Sequence, residues 1–563
     1  MQTVKQNFYI YNTLENIFVF LHPKNPIAVK MKINICQLNY LTNKTECNKE
    51  AIKQILLQNS GDTLNVFGEM SLCGYPLYNK NLYNNIYKQT SSAGDELCNT
   101  GKSFIIGTCV KNEDNYYNGL VFVDKGEVKA LATKRNLGRF DTNYSSGNGM
   151  EVINFMNKKT AFGFYEDIFN FYQRKVSVDL IILCSNYLFD KDYNNDIEKE
   201  LSDYAKKLHA DIIYVNRTGA EGNFVFQGGS FVMNNNGKVI KKFSEFAEQQ
   251  EIFKTETDNT SNPISNIQYP ISDVSYEERI FNACVTGIRD YWRKSGIKKA
   301  VIGLSGGIDS ALVAPLAVAA LGKENVVGIL MPSEFSSAHS VNDARQSADN
   351  LGIKHYTVPI QGIFTASKEA LQELLSIQKQ DTTEENLQAR ARCMIVMAFG
   401  NRLGAAMLNT SNKSESAVGY GTLYGDDSGA LGPIGDLYKQ DVYALARWIN
   451  KATAEGKLKE YFSYEKDFLI PQSSIEKAPS AELHPDQKDS DSLPEYDVLD
   501  KILKDHIENL ADEQDLIDKC GYDPSTVQKV LHLYNINEWK RRQEAPALRL
   551  SKTCFATDFK INY

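Results

Sequence analysis

Residues 298–322 read KKAVIGLSGGIDSALVAPLAVAALG, and the order of parts in this stretch decides the fold of the half of the chain around it. Ala300 to Leu304 is an apolar run of strand length, and an apolar segment of helical length follows Ile308. Between them stands Ser305-Gly306-Gly307-Ile308-Asp309-Ser310. Glycines let a backbone approach a phosphate closely, and a helix start aims free N–H groups and a partial positive charge at it. Ser305 and Ser310 add hydroxyl donors. Asp309 would repel a bare phosphate, so its presence implies a divalent cation between the two. No Gly-Lys-Ser/Thr follows, so this is not a Walker loop. From residue 276 onward the signals run helix, strand, Gly-rich turn, helix, strand, the order of a doubly wound parallel sheet.

A chain of 563 residues is too long for one ordinary core, so two or more domains are expected. Residues 31–245 alternate strand and helix signals. KINICQL (32–38), TLNVFGEM (63–70), SFIIGTCV (103–110), VDLIILCSN (178–186) and ADIIYVN (210–216) read as strands, and KEAIKQILLQ (49–58) reads as a helix. NGLVFVDKGEVKAL (118–131) predicts a strand pair turning at Asp124-Lys125-Gly126, and GSFVMNNNGKVIKKF (229–243) predicts a hairpin with Asn-Gly in its turn. This is an α/β domain with mixed sheets. Residues 246–275 lose periodicity and gather Asn, Thr, Ser and Pro, which predicts a linker. Residues 470–495 read as a second polar loop, and helices follow. Met31 opens a good strand, so residues 1–30 read as a mis-called start or a loose extension rather than a signal peptide.

Composition narrows the function classes. A net charge of −8 argues against a nucleic-acid binder, although it leaves room for a local basic patch such as Lys540-Arg541-Arg542. Ten scattered cysteines without a Cys-x-x-Cys pair argue against a disulfide framework or a zinc ribbon, and point to a reducing, cytoplasmic setting. No run of 18 apolar residues predicts a membrane span; the nearest, Ala300 to Leu321, contains Asp309 and Pro315.

Ser-Gly-Gly-x-Asp-Ser between strand and helix resembles the pyrophosphate loop of the N-type ATP pyrophosphatases, whose domains have the adenine nucleotide alpha hydrolase-like fold. Later motifs select one branch. EENLQARARCMIVM (384–397) resembles the substrate helix of NAD synthetases, with Asn386 and Arg390 on one face and Arg392 off it. LNTSNKSESAVGYGTLYGDDSG (408–429) places Thr410, Glu415 and Asp426 on a strand end and loop. GDLYKQDVYALARW (435–448), EKAPSAEL (476–483), SLPEYDVLD (492–500) and KRRQ (540–543) complete the set, and MPSEFSSAHSVNDA (331–344) resembles the loop shaping the adenosine side.

The resemblance makes residues 276–563 an NAD synthetase domain. It implies adenylation of nicotinic acid adenine dinucleotide (deamido-NAD) by ATP and Mg²⁺, then displacement of AMP by ammonia. It implies that Gly303, Leu304, Ser305, Gly306, Gly307, Ile308, Asp309, Ser310 and Thr410 hold ATP, and that Asp309 and Glu415 hold the metal. Asn386, Arg390, Glu415 and Lys540 are the implied contacts for the dinucleotide. Asp426 would help turn ammonium into the nucleophile, and Lys439 would stabilise developing negative charge.

Residues 31–245 resemble the nitrilase-like amidase domain, an α/β/β/α sandwich, that precedes the synthetase in glutamine-dependent NAD synthetases. MKINICQLNY (31–40), VFGEMSLCGYP (66–76), ATKRNL (132–137), FYEDIF (164–169), SNYLFDK (185–191) and YVNRTGAEGNFVFQGGSF (214–231) carry the match. That family uses Glu, Lys and Cys to hydrolyse glutamine. Glu69 and Lys134 stand at the first two positions, but Tyr165 stands at the Cys position. A Tyr with its pKa near 10 is far less ionised at neutral pH than a Cys near 8.5, and its ring is expected to fill substrate space. Gly68, Gly138 and Thr142 also depart from the pattern, the last where the family has Glu. Ser185 and Lys191 match positions that contact glutamine. The expected enzyme is therefore an NAD synthetase that favours free ammonia and carries a silent amidase domain, as a homo-oligomer. The alternatives are a relocated nucleophile, Cys184, at the end of VDLIILC, or an amidase domain that serves as a binding or regulatory module.

Overall fold

The computed structural model describes residues 31–77, 79–193, 195–254, 274–375, 381–462, 466–484 and 487–558. The expected extension, 1–30, and residues 255–273 of the expected linker lie outside them. The chain divides into two compact units. The first holds residues up to Leu188, then Tyr193–Glu221 and Phe226–Asp273; the second holds Phe189–Asp192, Gly222–Val225 and everything from Val274 on.

In the first unit, strict alternation writes two faces onto each strand. In Lys32–Gln37, Ile33 and Ile35 point one way and Cys36 the other. The first sheet runs, in spatial order, Gln249–Lys254, Lys32–Gln37, Thr63–Phe67, Ser103–Asn112, Asn115–Asp124 and Glu127–Thr133. The second runs Val239–Lys242, Phe231–Met233, Asp211–Asn216, Leu180–Ser185, Lys158–Phe164 and Glu151–Phe155. Ile33, Val66, Ile105 and Phe122 of the first sheet pack against Phe162, Phe164, Ile182 and Ile213 of the second. The helices Thr45–Gln58 and Tyr83–Cys98 cover the outer face of the first sheet through Ile52, Leu56 and Leu97. Ile168–Gln173 and Asp196–Leu208 cover that of the second through Phe171, Ile197 and Leu201. This is the α/β/β/α sandwich, and both expected hairpin turns are present. The linker reading began too early. Gln249–Lys254 is an edge strand, antiparallel to Lys32–Gln37, and its alternation of half-exposed residues was too weakly apolar to read as one.

The second unit holds a four-stranded, wholly parallel sheet in the order Lys354–Thr357, Val326–Leu330, Lys299–Gly303, Ala405–Met407. Chain order reverses direction at Lys299–Gly303, so the crevice for a ligand opens beyond its carboxyl end. The helix Ile308–Leu321 is buried almost all round, consistent with its unbroken apolar composition. The expected loop 470–495 includes a short helix, Gln472–Glu476. A second core joins the helices Tyr496–Ile507 and Pro524–Ile536 through Leu499, Leu503, Val527 and Val530. Lys413, fully buried, ties three segments together: its ammonium meets Asp436 Oδ1 and Glu508 Oε1 at 2.9 Å, and donates to Ser551 Oγ (2.8 Å) and the Thr553 carbonyl (2.7 Å). No helix among the described residues is long and apolar enough to cross a membrane.

Candidate functional site

The second unit contains a cavity of about 290 Å³ at the end of Lys299–Gly303. Its floor is the phosphate-loop sequence. The strand stops at Gly303, Gly307 caps the next helix, and only residues 304–307 lie between. Ser305 and Ser310 hold that turn in shape, their hydroxyls 3.1 Å apart, and Gly307 N–H donates to Ser305 Oγ. Gly306 has φ +81°, and a Cβ there would stand 2.1 Å from the Ser340 carbonyl oxygen, so only glycine fits. Gly306 turns away from the cavity; Gly303, Leu304, Ser305, Gly307, Ile308, Asp309 and Ser310 line it.

Thr410, Glu415, Asp426 and Lys439 line the same cavity. Glu415 is not on a loop, as the sequence suggested, but in the short helix Lys413–Val418. The signal was present in Asn412: its Oδ1 accepts the Glu415 N–H as an N-cap, while its Nδ2 donates to Asp309 Oδ1 at 2.9 Å. Lys439 begins the helix Lys439–Ala454, and its buried ammonium joins Asp309 (2.7 Å) to Glu415 (2.9 Å). Burial pushes Glu415 up to about 8, with Lys439 opposing and Asp309 adding to the shift. Two carboxylates on one ammonium leave a formal negative excess of hard oxygen donors, a set that suits Mg²⁺ shared with phosphates. Asp426, raised by burial, takes the Thr422 N–H at 2.9 Å.

The other expected substrate contacts stand apart. Asn386, Arg390 and Lys540 do not line the cavity. Asn386 accepts the Thr422 hydroxyl, Arg390 donates to the Leu423 carbonyl, and Lys540 holds the carbonyls of Gly419 and Gly421. All three therefore brace the 419–423 segment beside the site. The basic cluster is likewise no open patch, since Arg541 is buried and donates to the Ala417 carbonyl. Arg392, set aside because it falls off the Asn386 face, does line the cavity, with Nε on the Met331 carbonyl. Helical spacing showed that the faces differ but not which one turns inward.

In the first unit, Glu69, Lys134, Tyr165 and Ser185 all sit at or just beyond strand ends, where loops carry chemistry on a rigid base. Lys134, buried, meets Glu69 at 3.0 Å, Glu166 at 2.9 Å and Asp141 at 3.2 Å. Glu166, with Asp167, is one of the two carboxylates that the sequence places in the turn after Phe164; Asp141 was not singled out. Asp141 supplies a carboxylate one position before Thr142. Burial raises Glu69 to about 8 against the pull of Lys134, and Glu166 and Asp141 add to it. Tyr165 does not join them. Its hydroxyl donates to Glu200 Oε2 at 2.5 Å, and its ring lies edge-on to Tyr187 and Tyr214. Burial first, then that bond to Glu200, push its pKa up, further from a phenolate. Cys184 is fully enclosed in the core between the sheets, where burial raises its thiol strongly. Lys191 lies in the second unit, 3.2 Å from Asp441 and 3.3 Å from the Tyr276 hydroxyl.

Comparison with known proteins agrees with this division. Residues 280–544 match the NAD synthase family model. A glutamine-dependent NAD(+) synthetase of Synechocystis is 35% identical, covering 94% of this chain and 98% of its own. One of Thermotoga maritima is 34% identical over the same shares. A solved glutamine-dependent NAD+ synthetase of Acinetobacter baumannii, in complex with ADP, is 30% identical with a TM-score of 0.72, covering 94% of this chain and 98% of its own. With an α/β/β/α sandwich and an NAD synthase unit on one chain, this protein belongs to the glutamine-dependent NAD(+) synthetase family.

Proposed function

We propose that this chain converts deamido-NAD to NAD with Mg-ATP and takes its nitrogen from free ammonia. The N–H groups at the start of Ile308–Leu321, with Ser305 and Ser310, receive the ATP phosphates. Asp309 and Glu415 would hold Mg²⁺, which neutralises charge on the departing pyrophosphate. The substrate carboxylate attacks the α-phosphorus; a C–O–P bond forms, the bond to the β-phosphate oxygen breaks, and pyrophosphate leaves. Lys439 stabilises the charge that develops there. Ammonia then attacks the carbonyl carbon, the C–N bond forms, AMP leaves with the bridging oxygen, and Asp426 takes the proton from nitrogen. Burial raises its pKa, so its ionised form is a stronger base than an exposed carboxylate, while the Thr422 N–H and the Arg392 charge favour that ionised form.

One observation carries the preference for ammonia. Tyr165 stands at the nucleophile position and directs its hydroxyl to Glu200, leaving Lys134 with three carboxylates and no activated nucleophile. Cys184 is no substitute, because a thiol sealed in the core reaches neither solvent nor substrate. The test is NAD formation from deamido-NAD and Mg-ATP with ammonium or glutamine as sole nitrogen donor. Turnover with ammonium alone is the expected result; equal turnover with glutamine would refute the preference.

A further inference from the structure

The stretch SLPEYDVLD (492–500) has no part in the chemistry above, yet its last residue reaches both helices that carry it. Asp500 Oδ1 accepts the Ser414 hydroxyl at 2.5 Å, and its Oδ2 accepts the Gln440 N–H at 2.9 Å. The Ser414 oxygen in turn accepts the Lys439 N–H at 2.9 Å. Ser414 precedes Glu415, and Gln440 follows Lys439. One buried carboxylate therefore pins the start of Lys413–Val418 to the start of Lys439–Ala454. It also sits at the amino end of the longer helix, where negative charge is favoured. Asp500 does not line the cavity, so it can act only through these neighbours.

We infer that Asp500 is a positioning residue that, through Ser414, fixes the distance between Glu415 and Lys439. The inference rests on the proposed roles of those two groups. An amide at position 500 can still accept the Gln440 N–H, but the atom facing Ser414 becomes a donor. The serine hydroxyl then loses its charged acceptor, and only a weaker, reversed amide-to-hydroxyl bond can hold the clamp on that side. A displacement near 1 Å at reacting groups costs up to about 10²-fold in rate.

The experiment measures ammonium-dependent NAD formation by the full chain and by Asp500→Asn, Ser414→Ala and the double variant, with thermal midpoints alongside. The expected result is a loss of kcat of about tenfold to a hundredfold in each single variant, with KM for Mg-ATP within about threefold of the parent. The double variant should be no slower than the slower single, because both changes break one linkage. Unchanged kcat, a loss confined to KM, or losses that multiply in the double variant would overturn the inference. Ser414→Ala keeps the test valid if Asp500→Asn does not fold. Absence of NAD formation in the parent itself would instead bring down the underlying reading, and this inference with it.

Discussion

The two units each bury a lysine among carboxylates, and the two lysines have come to different ends. Lys439 shares two carboxylates and faces a cavity floored by a phosphate loop. Lys134 shares three, and the neighbouring Tyr165 turns its hydroxyl to Glu200. Beside Lys439 lies open space, faced by the phosphate loop, Thr410 and Asp426.

The sharpest way to break this comparison is to remove each ammonium. Lys439→Met should lower kcat for ammonium-dependent NAD formation by about 10³-fold, the upper range for losing one transition-state charge partner; a loss under tenfold would remove Lys439 from the chemistry. Lys134→Met should leave turnover of the folded protein unchanged and act on stability instead. Stranding three carboxylates should cost about 3–5 kcal/mol of unfolding free energy, read by denaturant titration of the first unit. A gentler probe uses pH. Burial, then Asp426 and Glu544, raise Asp427 to about 8. In the unfolded chain it releases its proton near 4, so the unfolded state binds fewer protons between pH 4 and 8, and this group erodes stability as pH rises through that window. Asp427→Asn should therefore shrink the fall in thermal midpoint between pH 5 and pH 8 by a few degrees. Smallest of all, Cys184→Ala should remove only packing, about 1 kcal/mol, and leave the ratio of ammonium to glutamine activity where it was. A change in that ratio would return Cys184 to consideration.

The parts of this architecture that were legible in the sequence are those governed by local rules. Period-two alternation gave the sandwich strands, and the glycine-rich turn between apolar strand and apolar helix gave the parallel sheet and its crevice. Glu69 and Lys134 stand just beyond strand ends, and Asp309 and Lys439 at helix starts. Most of the misses concern direction. Arg392 and Asn386 share one helix, and nothing in their spacing says which turns to the cavity. Asp141 and Glu166 meet Lys134 only because loops from different strands converge. Lys191 leaves its neighbours in sequence to pair with Asp441, a contact that spans 250 positions and has no local signature. The edge strand Gln249–Lys254 was missed for a related reason: half-exposed strands carry polar residues, and polarity reads as loop.

Lys413 has a consequence for how this enzyme comes into being. Its ammonium is held by Asp436 and Glu508 and also by Ser551 and Thr553, more than 130 residues downstream. The residue two positions on is Glu415, so the wall of the cavity rests on a stretch of chain that is synthesised late. A nascent polypeptide can finish the first sandwich and the parallel sheet while still attached to the ribosome, but residues 551–553 must emerge before this lysine has its full set of partners. Translation thus completes the ligase centre after the first unit has had time to fold.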